Sequence, residues 1–141
     1  MAHRDHDRIR RWVRLAAAPD AVWAEIGAFG AVADWHPMVT ESPVFLLEGD
    51  QCRHLKLTDD GLFLDRLLET GPHHYRYAVV EGPAALEDAT GTLSVVAEDG
   101  TCHVFWSLDF APRDPSADAI AAGLIESGLR ALRDRFGAAE D

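Results

Sequence analysis

The chain has 141 residues, 48% of them hydrophobic, and its 13 basic against 24 acidic residues give a net charge of −11. This length and apolar content are typical of one soluble domain with its own core, and they exclude a disordered chain. The acidic balance argues against nucleic acid and against an anionic membrane as partners, since both bind basic surfaces. The N-terminal MAHRDHDRIR lacks the apolar segment of a signal peptide, and no run reaches membrane-spanning length. Because Cys52 and Cys102 lie in strand-like stretches, we expect a reduced, cytoplasmic protein.

The first third of the chain predicts a strand and two short helices. Residues 8–16 are predicted as a strand, and Ala18-Pro19-Asp20 begins a helix with a proline and an acid in its first turn. A second short helix runs through 32–35. Pro37 ends it, because the residue before a proline avoids the α region. Residues 38–45 are then predicted as one strand.

The centre of the chain is predicted to consist of strands. Alternating apolar and polar residues indicate strands at 52–58, 62–70, 73–81, 90–98 and 101–110. A long helix is predicted from about Ser116, a good N-cap, to Phe136. Gly123 and Gly128 interrupt this helix. A helical glycine costs up to about 1 kcal/mol, so the two indicate either close packing or space left for something else.

The order of these elements predicts the fold class. One strand, two short helices, six strands and a long helix form an α+β layer in which an antiparallel sheet wraps the helix. A strongly bent sheet around one helix does not fill its interior easily. We therefore expect an internal cavity, where a ligand would bind, and a single domain over residues 1–141 with 1–7 and 137–141 as loose ends.

Six stretches carry a family resemblance: APDAVWAEIGAFGAVADWHPMV, CRHLKL, DRLLE, YRYAVVEGPAALEDATGTLSV, FWSLDF and GLRALRDRF. Over residues 8–136 the chain resembles the START-like, Bet v 1-like superfamily, and within it the bacterial polyketide cyclase/dehydrase family. The resemblance implies a helix-grip fold, in which a seven-stranded antiparallel sheet grips a long C-terminal helix around a deep apolar pocket. It implies no single activity, since the superfamily includes lipid carriers, hormone receptors and aromatase/cyclases.

The stretch Ala33-Asp34-Trp35-His36-Pro37 falls where such proteins have a pocket lid, and the family often has a tryptophan followed by a proline there. We interpret Pro37 as the end of the helix, Trp35 as a cap on the apolar interior, and His36 as a residue near the mouth. The competing interpretation makes His36 a catalytic base or a metal ligand, or a lid residue that touches the bound molecule. A lone histidine beside a proline is more often structural, so we expect His36 to be dispensable for catalysis.

Arg53 shares the inward face of its strand with Leu55, where a guanidinium needs a partner or a ligand unless it reaches water at the strand end. Asp65 is the natural partner, but its face depends on the turn. A two-residue loop, Asp60-Gly61, sends Asp65 outward; a three-residue loop, Asp59-Asp60-Gly61 with glycine in αL, sends it inward and diagonal to Arg53. The resemblance favours the inward face, since DRL occupies the place of the superfamily's ERL, whose carboxylate faces the pocket in hormone receptors.

Further residues are expected to line the pocket. Tyr75 and Tyr77 alternate onto the inward face, where each hydroxyl is either satisfied in the core or donates to a ligand. Ala89 departs from the aromatic residue that is common in the family, and together with Gly91 it is expected to widen the pocket. The other expected substrate contacts are Trp35, His36, Leu55, Phe63, Val79, Trp106, Leu108, Leu124 and Gly128.

No metal or cofactor is expected. His3 and His6 lie on the N-terminal tail, His73 and His74 point to opposite faces of a strand, and no HExxH, CxxC or dinucleotide motif occurs.

Two functions are compatible with these residues. In the leading hypothesis the protein is a cyclase/dehydrase that promotes ring closure, with or without dehydration, of a polycarbonyl substrate held in the pocket. Arg53 would polarise a carbonyl, Asp65 would be the acid or base, and Tyr77 or Tyr75 would donate to an enolate. In the alternative the protein is a non-catalytic carrier or sensor of a small hydrophobic molecule, as a monomer or a homodimer.

Overall fold

The computed structural model describes residues 6–139 of the chain. The elements in this range are, in chain order, β1 (Asp7–Leu15), α1 (Pro19–Ile26), α2 (Val32–Trp35), β2 (Val39–Glu41), β3 (Val44–Leu47), β4 (Asp50–Leu57), β5 (Leu62–Gly71), β6 (His74–Glu81), β7 (Leu86–Glu98), β8 (Thr101–Pro112) and α3 (Ala117–Phe136). No helix among the described residues is long and apolar enough to cross a membrane.

The strands form one antiparallel sheet in the order β1-β8-β7-β6-β5-β4, with β2 and β3 both paired to β4. The predicted helix-grip fold is confirmed, but the described residues contain eight strands instead of seven. The difference arises within residues 38–45, where Ser42 and Pro43 lie outside any strand. Because a proline has no N–H to donate to a ladder, the segment divides at this point. Its two halves pair with different parts of β4.

The turn between β4 and β5 differs from both predicted turns. Arg53 lies directly opposite Asp65, and the Leu57 N–H donates to the Gly61 carbonyl at 2.8 Å. The residue with positive φ is Asp60 at 69°, not Gly61, so the expected diagonal register was wrong. The expected inward orientation of Asp65 is confirmed, since its exposure is 0%.

Helix α3 packs its apolar face inside the curved sheet, where Leu124, Ile125, Leu129 and Leu132 are buried. The two glycines of α3 differ in whether they permit close packing or leave space. A Cβ at Gly128 would lie 2.7 Å from His36 and 2.8 Å from Trp106, whereas no described residue has an atom within 4 Å of a Cβ at Gly123. Gly128 thus permits close packing and Gly123 leaves space.

The two ends of the chain were predicted to be loose. Residues 1–5 and 140–141 lie outside the described part. The prediction is wrong for residues 6 and 7, because His6 contacts Asp109 and Asp7 is the first residue of β1. Residues 137–139 instead pair with the end of β1, because the Ala16 N–H donates to the Gly137 carbonyl at 2.9 Å and the Ala139 N–H to the Arg14 carbonyl at 3.1 Å. This pairing holds the end of α3 against the first strand.

Candidate functional site

Arg53 and Asp65 form an ion pair inside the sheet, where each side chain is 1% exposed. The Arg53 Nε donates to the Asp65 Oδ2 at 2.9 Å, and Nη1 donates to the Phe29 carbonyl and to the Tyr75 hydroxyl, both at 2.9 Å. Direct pairing across β4 and β5 brings the two charges together, and the loop after α1 adds a third partner. The predicted internal pair is therefore present, with more partners for the guanidinium than the sequence indicated.

Aromatic rings surround the guanidinium. Its central carbon lies 4.1 Å from the ring centre of Phe29, 4.8 Å from that of Tyr77 and 5.3 Å from that of Tyr75. A cation near ring faces is attracted by the aromatic quadrupole, and the attraction is larger where water is excluded. We call Phe29, Arg53, Asp65, Tyr75 and Tyr77 the buried polar cluster.

The electrostatics of the buried polar cluster follow from its burial. Burial raises the pKa of Asp65 above its usual range, and the neighbouring Arg53 opposes this rise without cancelling it. The Asp65 Oδ1 has no hydrogen-bond partner among the described residues. Burial alone would lower the pKa of Arg53, but Tyr75 and Asp65 raise it, so the guanidinium stays charged. Burial, followed by the charge of Asp65, raises the pKa of Tyr77, which remains a neutral phenol.

Tyr77 occupies the space that Ala89 and Gly91 were expected to leave open. A Cβ at Gly91 would lie 2.2 Å from the Tyr77 Cζ, so the ring covers its cross-strand glycine. The Trp106 Nε1 donates to the Tyr77 hydroxyl at 3.0 Å and fixes the ring there. Ala89 is 3% exposed in the core. The expected widening of a pocket at Ala89 and Gly91 was therefore wrong.

His36 lies deeper than its expected place near the mouth, and it is 2% exposed. Its Nδ1 accepts from the Met38 N–H at 3.1 Å, so Nε2 carries the proton and donates to the Leu124 carbonyl at 2.7 Å. Burial lowers the pKa of His36, and its bond to Leu124 opposes the change. Trp35 is likewise buried, with its ring centre 5.7 Å from that of Trp106. These contacts give His36 a structural task, which is to join the segment after α2 to α3.

A cavity of about 490 Å³ opens between the β4–β5 turn, the β6–β7 loop and the first half of α3. Its lining residues are Met38, Leu57, Asp59, Gly61, Leu62, Phe63, Gly82, Pro83, Ala119, Ile120, Gly123 and Leu124. Among the predicted contacts, Phe63 and Leu124 line it. The remaining predicted contacts lie elsewhere. Val79 lies at the margin of the packed interior, and within it lie Trp35, His36, Leu55, Tyr75, Tyr77, Ala89, Gly91, Trp106, Leu108 and Gly128.

The predicted contacts placed the cavity too deep in the molecule. Sequence reasoning missed its helical wall, formed by Ala119, Ile120 and Gly123, and its loop wall at Gly82 and Pro83. The available signal was Gly123, a helix-weakening residue in the first half of α3. Its spacing of three from Ile120 and four from Ala119 places all of them on one side of the helix.

Phe63 separates the cavity from the buried polar cluster. Phe63 lies two residues before Asp65 on the same inward face of β5, and it pairs with Leu55 on β4. Two residues along a strand span about 7 Å. The ionisable residue of the cavity wall, Asp59, uses its Oδ1 to accept from the Gly61 N–H at 2.9 Å. The cavity can therefore hold an apolar molecule, whereas no residue of the buried polar cluster lines it.

No group of three or more His, Cys, Asp or Glu side chains within residues 6–139 is placed to hold a metal ion. His6 does not join such a group: its Nδ1 lies 2.7 Å from the Asp109 Oδ1, and its Nε2 lies 3.3 Å from the Asp88 Oδ2. His3 lies outside the described residues.

Residues 6–137 match the family described as polyketide cyclase/dehydrase and lipid transport, and the chain belongs to this family. The structure is similar to that of the protein XoxI from Bacillus cereus, with 28% sequence identity, a TM-score of 0.81, and coverage of 92% of this chain and 94% of that chain.

Two more distant structures show the fold alone. A START superfamily protein from Mycobacterium smegmatis has 15% identity and a TM-score of 0.71, covering 94% of this chain and 97% of the other. The Zhui aromatase/cyclase from Streptomyces sp. R1128 has 19% identity and a TM-score of 0.67, covering 93% and 86%. No curated protein shows significant sequence similarity to this chain.

Proposed function

We propose that the protein binds a small hydrophobic molecule in the cavity beside α3 and carries or senses it without transforming it. The observation that carries the proposal is the separation of the two features of the site. The cavity of about 490 Å³ is walled by apolar side chains and glycines apart from Asp59, and its volume lies within the range of small-molecule sites. The groups suited to proton transfer, Asp65 and Tyr77, are 0% and 3% exposed.

Titration with Nile red, a neutral dye that fluoresces in apolar surroundings, tests this proposal. We expect one dye per chain, and we expect Gly123→Leu to weaken binding at least tenfold. No atom of residues 6–139 lies within 4 Å of a Cβ at Gly123, and because Gly123 lines the cavity, the rest of a leucine side chain would extend into it. Arg130→Leu is the matched control, since it adds the same side chain on the exposed part of the same helix. Dye binding that Gly123→Leu leaves unchanged would contradict the proposed site.

Cyclisation of a polycarbonyl substrate is the second candidate function. The observation in its favour is the Asp65 Oδ1, which is buried and has no hydrogen-bond partner within residues 6–139. A substrate that displaced Phe63 would bring an acidic C–H to this oxygen. Asp65 would take the proton, the resulting carbon would bond to a second carbonyl of the same chain, and that carbonyl oxygen would be protonated. Arg53 would polarise the carbonyl, and loss of water would follow where the ring becomes conjugated.

The two functions differ in what happens to a bound poly-β-carbonyl compound. Under the carrier hypothesis mass spectrometry recovers the compound unchanged after incubation. Under the cyclase hypothesis it recovers an isomer or the dehydrated product, and Asp65→Asn combined with Arg53→Met abolishes the conversion. Because the double variant removes both buried charges, we expect it to be more stable than either single variant, and a circular dichroism spectrum like that of the parent protein separates loss of catalysis from loss of structure.

A further inference from the structure

The cavity beside α3 has a negative charge at one end of its otherwise apolar wall. Among the described residues that line it, Asp59 is the one ionisable side chain. The hydrogen bond from the Gly61 N–H to the Asp59 Oδ1, at 2.9 Å, fixes this carboxylate at the turn. A carboxylate accepts several hydrogen bonds, so this bond does not exhaust its capacity. A ligand in the cavity therefore meets a fixed negative charge at the β4–β5 end.

Lys56 precedes the lining residue Leu57, and the Arg113 N–H donates to the carbonyl of Ala85, two residues after Pro83; both cations are paired with carboxylates. The Lys56 Nζ lies 3.5 Å from the Glu41 Oε2, and the Arg113 Nη1 lies 2.6 Å from the Glu87 Oε2. Asp60 follows Asp59 in the turn and is exposed. The chain as a whole carries −11, which adds to the negative potential at the opening.

The other residues that line the cavity are apolar or glycine. Ile120, Gly123 and Leu124 of α3 form one wall, and Phe63 forms its base. A ligand with one polar end would place its apolar body against these residues and its polar end at the turn. Asp59 is exposed, so a carboxylate on the ligand would keep part of its hydration there, but it would lie beside a like charge without a cation, which weakens its binding. An ammonium or a hydroxyl would find an acceptor there.

We propose that the cavity selects molecules with an apolar body and a cationic or uncharged polar end, and discriminates against carboxylates such as fatty-acid anions. This inference rests on the proposed function and assigns the chemical class of its ligand. Asp59 is the residue that determines this specificity.

Three compounds with the same ten-carbon chain test the inference: decylamine, decanol and decanoate. Each displaces Nile red from the protein at neutral pH and low salt, below the concentration at which it aggregates. We expect decylamine to bind roughly tenfold more tightly than decanoate, with decanol between them. Asp59 attracts the ammonium and repels the carboxylate, and in partly solvated surroundings this difference is about 1.4 kcal/mol. Added salt should narrow the difference.

Asp59→Asn is the decisive variant, because the amide oxygen still accepts from the Gly61 N–H while the charge is lost. We expect the ratio of decylamine to decanoate affinity to fall at least threefold, and the affinity for decanol to change less than that ratio. Asp50→Asn, at the far end of β4, is the matched control and should leave the ratio as it is. Gly123→Leu should weaken all three compounds.

The outcomes separate this inference from the function on which it rests. Equal binding of decylamine and decanoate, with decanol also bound, would overturn the charge selection and leave the proposed function standing. A preference that Asp59→Asn leaves unchanged would overturn the role of Asp59. Failure of all three compounds to bind would overturn the proposed function itself.

Discussion

Asp65→Asn removes the carboxylate that faces Arg53 across β4 and β5 while keeping an oxygen that can accept from its Nε. Both side chains are 1% exposed, so solvent screens their attraction little. Two unit charges about 4 Å apart attract by about 4 kcal/mol at an effective dielectric constant of 20. Because the guanidinium keeps the Phe29 carbonyl and the Tyr75 hydroxyl, we expect a loss of about 3 kcal/mol of unfolding free energy.

Arg53→Met leaves the opposite defect, a carboxylate buried without a cation. Breaking a buried pair from one side costs about 3–5 kcal/mol. When both residues are replaced, neither charge remains uncompensated. We therefore expect the double variant Asp65→Asn with Arg53→Met to recover part of the loss, and the coupling free energy to be about 2–3 kcal/mol.

The effect of Arg53→Met depends on pH in a defined direction. Burial already raises the pKa of Asp65 above its ordinary 3.8, and removal of Arg53 raises it further. Between the ordinary and the raised pKa the native state binds a proton that the unfolded state has lost, so stability falls as pH rises. The deficit of Arg53→Met should thus be smaller at pH 5 than at pH 8, and Asp65→Asn should abolish this dependence.

Urea denaturation of the four proteins measures these free energies from the midpoint and slope of each transition. The exposed pair Lys56 and Glu41, with nitrogen and oxygen 3.5 Å apart, serves as the matched control through Lys56→Met and Glu41→Gln. Its coupling should stay below about 1 kcal/mol. A coupling near zero between Arg53 and Asp65 would refute the reasoning, since two buried charges in contact cannot be independent.

Three further outcomes are expected from the same measurement. Burial lowers the pKa of His36 in the folded protein, so the parent protein loses stability as pH falls through the ordinary pKa of 6.5. His36→Gln should therefore make the unfolding free energy less dependent on pH near this value. An equal slope in both proteins would contradict this. Gly128→Ala should destabilise the protein by about 1–3 kcal/mol, because its Cβ would lie 2.7 Å from His36. Gly123→Ala on the same helix should stabilise the protein by up to about 1 kcal/mol, because its Cβ would contact no described residue. A Gly128→Ala variant more stable than Gly123→Ala would contradict the packing described. Gly91→Ala should destabilise the protein by about 1–3 kcal/mol, since its Cβ would lie 2.2 Å from the Tyr77 ring. An unchanged urea midpoint would show that the Tyr77 ring does not cover Gly91.

The order of elements and the inward faces of the strands were open to prediction because they depend on local periodicity. Alternation placed Arg53 and Tyr77 on the inward face, and both are buried. The proline after His36 predicted an extended residue, and His36 has φ −97° and ψ 119°. The sequence predicted either close packing or open space at the two glycines of α3, and the structure has close packing at Gly128 and open space at Gly123.

The register of β4 against β5 and the position of the cavity were decided by tertiary structure. Asp60 takes the positive φ that was assigned to Gly61, because aspartate tolerates αL and the register must bring Arg53 opposite Asp65. Alternation identifies the face of a side chain but not the volume that it fills. Tyr77 covers Gly91, its partner on the neighbouring strand, so the interior closes there and the space opens instead beside Gly123, where the loops and the helix do not meet.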